Sequence, residues 1–210
     1  GALPAGSAGA GADEALSQEN GAAPQEKRAG LHVFTLGRIC YQKNPKLFNE
    51  IALCMPDLHF VWIGDGELRD TLTAPNIEVT GWLSRENALR RSISSHIFIL
   101  TSLWEGLPMS LLEAMYLEKL CLVNDVIGSR DVIISGSNGF VCGSADEFVA
   151  SLRKILEDPA GFAHMAAQAR KDILEKYNTR IMSEKYREIY EKALAEHAPS
   201  KKGKARHRKS

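Results

Sequence analysis

Neither sign of charge is in excess in this chain: Lys and Arg together number 26, and so do Asp and Glu. Without a net field there is no electrostatic footprint for nucleic acid, and no nucleic-acid partner is expected. No apolar run approaches the ~20 residues needed to span a bilayer. The first residues lack the basic-then-apolar pattern of a signal peptide. The four cysteines, Cys40, Cys54, Cys121 and Cys142, form no Cys-x-x-C pair, and each lies in or beside an apolar run. They read as small buried residues of a reducing compartment, which excludes a disulfide frame and a zinc site. The six histidines show no metal spacing, no Ser or Cys nucleophile motif occurs, and no Asp-x-Asp pair ends a strand. A soluble cytoplasmic protein is expected, using neither metal nor cofactor.

What is present begins with an alternation. Short runs rich in Val, Ile, Leu and Phe occur at Leu31–Leu36, His59–Ile63, Ile77–Thr80, Ile97–Leu100, Leu120–Val123 and Phe140–Val141. Several are apolar at consecutive positions, as expected of strands covered on both faces. Helical patterns fill the gaps at about 45–54, 66–72, 84–94, 109–117 and 145–157. The repeated order predicts an α/β fold, a doubly wound parallel sheet of Rossmann-like type. Ligands bind such sheets beyond the carboxyl ends of the strands. Beyond residue 158 the pattern is helical only. One helix is predicted from Asp158-Pro159 to Lys176, and another, capped by Asn178-Thr179, to Glu196. Tyr186 and Tyr190 on the latter are expected to pack onto the sheet domain.

The ends differ from this middle. Half of residues 1–30 are Ala or Gly, with no aromatic residue, so a flexible leader is predicted there. The organised domain then covers 31–196. Residues 197–210, with Lys201, Lys202, Lys204, Arg206, Arg208 and Lys209, form a basic tail. It is expected to be solvated, and weak contact with anionic lipid headgroups at the inner face of a membrane is the alternative.

The motifs fall just after the strands. After the first come Gly37, Arg38 and Lys43. The glycine allows a tight turn where a ligand approaches, and the two bases could converge on one diphosphate. After the second comes Gly64-Asp65-Gly66-Glu67, read as a tight turn opening a helix, with its backbone near the ligand. It lacks the third glycine of a dinucleotide fingerprint. After the third come Gly81, Trp82 and Leu83. Trp82 reads as core or lid, and Trp82-Leu83 could instead meet a base. After the fourth comes Glu105-Gly106-Leu107-Pro108-Met109-Ser110-Leu111-Leu112-Glu113. Pro108 suits the first helical position, and that helix start offers free N–H groups and a positive dipole end to a phosphate. Glu105 and Glu113 add acceptors for hydroxyls. A diphosphate flanked by hydroxyl-rich rings, as in a sugar nucleotide, suits the combination. After the fifth, a glycine turn at Gly128 lies near Asp125 and Asp131, and Gly136 and Asn138-Gly139 read as turn chemistry.

Taken together and in this order, these residues resemble the donor-binding half of a retaining GT-B glycosyltransferase, group 1 or family 4, from about Leu31 to about Tyr190. Leu103-Trp104-Glu105-Gly106-Leu107-Pro108 through Glu113-Ala114-Met115 is especially similar to bacterial capsule and exopolysaccharide enzymes. The resemblance implies that Arg38 and Lys43 hold the donor diphosphate and stabilise it as leaving group. It gives Glu105 the donor-sugar hydroxyls, Glu113 the ribose, and the amides around Leu107, Pro108 and Met109 the phosphates. It implies a UDP- or GDP-sugar donor and transfer to a glycan or lipid-linked acceptor. It also implies a preceding acceptor domain or a partner subunit that this chain lacks. Where many relatives read Gly-Gly and end in Glu, Ile127 precedes Gly128 and Asp131 takes the acidic place. Two other readings stand beside this one: a nucleotide-sugar binding module without turnover, and half of a GT-B sugar-nucleotide epimerase.

Overall fold

The computed structural model describes residues 30–177 and 179–196. Six strands form one sheet in the order β3-β2-β1-β4-β5-β6, and every pair is parallel. They are β1 His32–Leu36, β2 His59–Ile63, β3 Ile77–Val79, β4 Ile97–Leu100, β5 Leu120–Asn124 and β6 Phe140–Cys142. The helices are α1 Pro45–Cys54, α2 Arg85–Ile93, α3 Met109–Tyr116, α4 Ile127–Arg130, α5 Ala145–Glu157, α6 Ala163–Lys176 and α7 Thr179–Glu196.

Successive strand residues point to opposite faces, and here both faces are dry. Val33, Phe60, Trp62, Ile97, Ile99 and Leu122 pack with α1 and α5 through Phe48, Ile51, Phe148 and Leu152. Their neighbours Phe34, Val61, Ile63, Phe98, Leu100 and Val123 pack with α3 and α6 through Leu111, Met115, Ala169 and Ile173. This two-sided burial is why the strands read as unbroken apolar runs. The chain turns back toward β4 after β3, so β1 and β4 are neighbours at the point where strand order reverses. Such a point opens a crevice at the carboxyl edge.

Several expectations are corrected. The region 66–72 holds only a 3-10 turn at Arg69–Thr71. The Leu68 amide bonds back to Ile39 O, and Thr71 Oγ1 to Leu68 O. With Pro75 so close, too few residues remain to offset the cost of nucleating a helix. Pro108 is the N-cap of α3, with ψ 97°, and its carbonyl accepts from Leu111 and Leu112. Proline fixes φ alone, so this extended ψ is open to it, and Met109 takes the first helical position. Asp158 ends α5, and the next helix begins only at Ala163. A four-residue helix, α4, stands where only a turn was read. Cys54 is exposed. Tyr186 and Tyr190 are exposed too, so they do not pack onto the sheet domain. The leader to residue 29, Asn178 and the basic tail lie outside the described residues. No helix among the described residues is long and apolar enough to cross a membrane.

Candidate functional site

The crevice is assembled from four loops at the carboxyl edge. The first leaves β1 through Gly37, whose φ is 146°. The buried Trp62 of β2 donates its indole N–H to Gly37 O at 2.9 Å. Gly37 N–H in turn donates to Ile63 O. The second loop leaves β2 through Gly64, φ 141°. A side chain there would collide with the Gly37 carbonyl. Only a glycine lets these two loops lie against each other in that conformation. The stem of Lys43 crosses Gly37, with its Cε 3.6 Å from where a Cβ would stand.

The first and fourth loops are stitched together. Leu103 N–H donates to Gln42 O at 2.8 Å, and Gln42 Nε2 donates to Trp104 O at 3.0 Å. Thr101 Oγ1 donates to Lys43 O at 2.8 Å. This frame brings together two of the predicted residues that lie 62 positions apart. Lys43 Nζ meets Glu105 Oε1 at 2.6 Å, and their side chains are only 19% and 7% exposed. Desolvating two charges for such a short, largely dry ion pair is costly, and the close geometry offsets part of that cost. Gly106, Leu107 and Met109 continue from it and are exposed, while Pro108 is buried. The amides of Met109 and Ser110 have no intrahelical acceptor, because they open the first turn of α3. Glu113 stands exposed farther along the same helix.

Arg38 is placed differently. Its Nε meets Glu67 Oε2 at 3.0 Å on the open surface, where the two side chains are 65% and 52% exposed. The Glu67 carboxyl is held below the usual range by its own backbone N–H first, and then by Arg38. Arg38 and Lys43 therefore lie on the same loop but each is engaged by a different carboxylate. Trp82 is exposed, as is Leu83. The core reading of Trp82 is thus corrected: it follows the edge strand β3, and none of the described elements buries it.

Sequence reasoning missed several supports. Gly128, read as a turn glycine, has its backbone against the carbonyls of Glu105 and Gly106, so any side chain there would displace the Glu105 loop. Asn138, read as turn chemistry, is a buried hub. Its amide nitrogen donates to Asp172 Oδ2 at 2.8 Å and Val132 O at 3.2 Å, and its oxygen accepts from Ile134 N–H at 2.8 Å. An Asx residue before Gly was the available signal, but it did not identify a partner on α6. Burial works against ionising Asp172, yet hydrogen bonds from Lys176, Asn138 and Gln168 hold its carboxyl below the ordinary range. Among the described residues no group of three or more His, Cys, Asp or Glu side chains could hold a metal ion.

The family of glycosyl transferases group 1 matches residues 18–172, and the chain belongs to that family. It is 31% identical over 189 residues to a UDP-Gal:alpha-D-GlcNAc-diphosphoundecaprenol alpha-1,3-galactosyltransferase of Escherichia coli. That match covers 79% of this chain and 48% of the relative. Among solved structures, the apo lipopolysaccharide outer core galactosyltransferase WaaB superposes with TM-score 0.66 at 25% identity, covering 80% of this chain and 51% of that one. Anabaena Alr3699/HepE, solved with UDP and glucose, superposes with TM-score 0.67 at 17% identity, covering 78% and 49%. The chain therefore spans about half the length of the relatives it matches, and its fold is that of half a GT-B enzyme.

Proposed function

We propose that this chain is the donor-binding half of a retaining glycosyltransferase of family 4 type and holds a nucleoside diphosphate sugar across the carboxyl edge of its sheet. The Lys43–Glu105 pair carries the reading. It sits where the β1 and β4 loops converge, beside the open N-terminus of α3. There the diphosphate takes Lys43, Arg38 and the first amides of α3, and the sugar hydroxyls take Glu105. Glu113 takes the ribose. Trp82 and Leu83 follow β3, three strands from β4, or roughly 14 Å at the usual strand spacing. That separation suits a base at one end and a sugar at the other.

On this reading the side chains position and neutralise more than they react. Charge grows on the diphosphate as the glycosidic bond breaks, and preoriented cations and amides stabilise it without reorganising. The departing phosphate takes the proton of the acceptor hydroxyl, so retention needs no protein base. The acceptor is a glycan or a lipid-linked glycan, the class named for the Escherichia coli relative. It is held by the remainder of a longer protein or by a partner. All the relatives reported above are named as galactosyltransferases or carry UDP and glucose, which favours a transferase over an epimerase and UDP over GDP.

The test is a calorimetric panel of UDP-, GDP- and ADP-sugars on this chain, with and without a chelator. One nucleotide family should bind, and a chelator should not change its affinity. Glu105→Ala should weaken the sugar nucleotide but not the free diphosphate, because Lys43 is then released from its carboxylate. Glu113→Ala should weaken both. Transfer by this chain alone should be negligible, since acceptor positioning, worth ~7–11 kcal/mol, is missing. Absence of binding across the whole panel would overturn the reading.

A further inference from the structure

Two exposed aromatic rings are carried on the loops that bring the Lys43–Glu105 pair together. Tyr41 is 70% exposed and Trp104 is 51% exposed, and their ring centroids are 5.8 Å apart with planes inclined at 52°. Single exposed aromatics need no explanation. These two differ because they touch each other across loops that are tied together. Leu103 N–H donates to Gln42 O, and Gln42 Nε2 donates to Trp104 O. The rings are therefore carried on a braced frame. Each adjoins the ion pair in sequence: Tyr41 is two residues before Lys43, and Trp104 immediately precedes Glu105.

We infer that Tyr41 and Trp104 form a stacking platform for a pyranose ring, next to the Lys43–Glu105 pair. A pyranose presents C–H groups on its face and hydroxyls around its rim. The negative face of an aromatic ring attracts the former, while Glu105 and Lys43 offer an acceptor and a donor to the latter. A nucleobase also stacks on aromatics, but the donor-site reading above, on which this inference rests, puts the base near Trp82, about three strand spacings away. The ring that stacks is the donor's sugar or the terminal sugar of an acceptor, and the two share this chemistry.

The whole chain is titrated with UDP alone, with UDP-galactose and UDP-N-acetylglucosamine, and, when saturated with UDP, with methyl galactoside and methyl N-acetylglucosaminide. The same titrations follow for Tyr41→Ala, Trp104→Ala and Trp104→Phe. One sugar arm should weaken about fivefold to tenfold in both alanine variants, the scale of one aromatic contact. UDP alone should be unchanged, and Trp104→Phe should stay within about twofold, since a ring remains. A loss in the UDP-sugar arm assigns the donor sugar, and a loss in the glycoside arm assigns the acceptor. Thermal melts confirm folding. If Trp104→Ala does not fold, Tyr41→Ala and Tyr41→Gln decide. Sugar affinities unchanged in the alanine variants would overturn the platform, as would an equal loss for UDP alone. If the wild-type chain binds UDP but gains nothing from any sugar, the platform falls and the donor site stands. If it binds no nucleotide, both fall.

Discussion

The two edges of the sheet carry similar kinds of charged residue and use them in opposite ways. At the amino edge His32, His59 and His96 cluster, with His32 ring centroids 4.9 Å from His59 and 5.9 Å from His96. His32 N–H donates to His96 Nδ1 at 3.1 Å, and His59 Nε2 meets Glu78 Oε2 at 3.0 Å. Arg91 reaches the same Glu78 oxygen. All these partners come from strands, or from the helix and turn beside them, and the backbone is regular. At the carboxyl edge three glycines with positive φ, Gly37, Gly64 and Gly81, follow three successive strands. Their loops, together with the one that follows β4, carry the ion pair, an open helix start and exposed rings. A cluster of charges does not by itself mark a site. What separates the edges is that one satisfies itself within regular structure, and the other uses conformations open to glycine to hold groups at an opening.

The comparison breaks most visibly where the backbone is under demand. Gly64→Ala adds a side chain against the Gly37 carbonyl at a φ that disfavours any Cβ. Overpacking and strain together should cost roughly 2–6 kcal/mol. A denaturant melt should show that loss, and diphosphate binding should go with it. Gly128→Ala should displace the Glu105 loop by overpacking alone, without the contribution from φ. A stable Gly64→Ala chain with full nucleotide affinity would show that the loops do not depend on this contact.

Next in size is the ion pair. Lys43→Met leaves the Glu105 carboxylate largely buried without a cation, at a cost of about 3 kcal/mol. The double change Lys43→Met with Glu105→Met removes both charges and should recover most of that stability, while diphosphate affinity stays at least tenfold down. Non-additive melting with additive binding loss would separate the two roles. Arg38→Ala provides the contrast within the same edge. Its pair with Glu67 is solvent-exposed, and such pairs contribute little to folding. The melt should not move, yet diphosphate affinity should fall about tenfold or more, as for a charge-assisted phosphate contact.

The sheet was legible in the sequence because two-sided burial leaves a signature: strands such as Ile97-Phe98-Ile99-Leu100 are apolar at every position. The loops were legible as places, since Gly37, Gly64, Gly81 and Glu105 each follow a strand. Their contacts were not. Nothing in the spacing of Lys43 and Glu105 says that their side chains meet, because that depends on the reversal of strand order that makes β1 and β4 neighbours. Nor could Gly128 be connected to Glu105, since the link is a backbone approach and not a side-chain pattern. The 66–72 helix failed for a related reason. Its pattern was local, and the Leu68 amide was claimed by Ile39 from a distant loop. Tyr186 and Tyr190 share a face as expected, but periodicity does not say what, if anything, lies against it.

The smallest expected effect belongs to the amino edge and tests whether it is self-contained. Burial first, then the nearby His59 and Arg91, lower the pKa of His32, while Glu78 opposes them. Its Nδ1 has no hydrogen-bond partner among the described residues. The folded value lies below the ordinary 6.5, so as pH falls the unfolded chain takes up the proton first. Stability is therefore flat above about pH 6.5 and declines below it, until the folded imidazole titrates as well. Glu78 adds a second loss in the same direction. Burial alone would raise its pKa, but the hydrogen bond from His59 and the charge of Arg91 hold it below 4.5, so its contribution disappears as pH falls past that value. Urea midpoints at pH 7.5, 6.0 and 5.0 should drop stepwise for the natural chain. His32→Leu should flatten the step between 6.5 and 5, because its side chain cannot titrate, and leave nucleotide affinity at pH 7.5 unchanged, because the ligand edge lies at the other end of the strands. A flat natural profile would mean that the cluster does not couple to folding. A His32→Leu chain that lost nucleotide affinity would mean that the two edges are coupled through β1, and that the separation drawn between them is wrong.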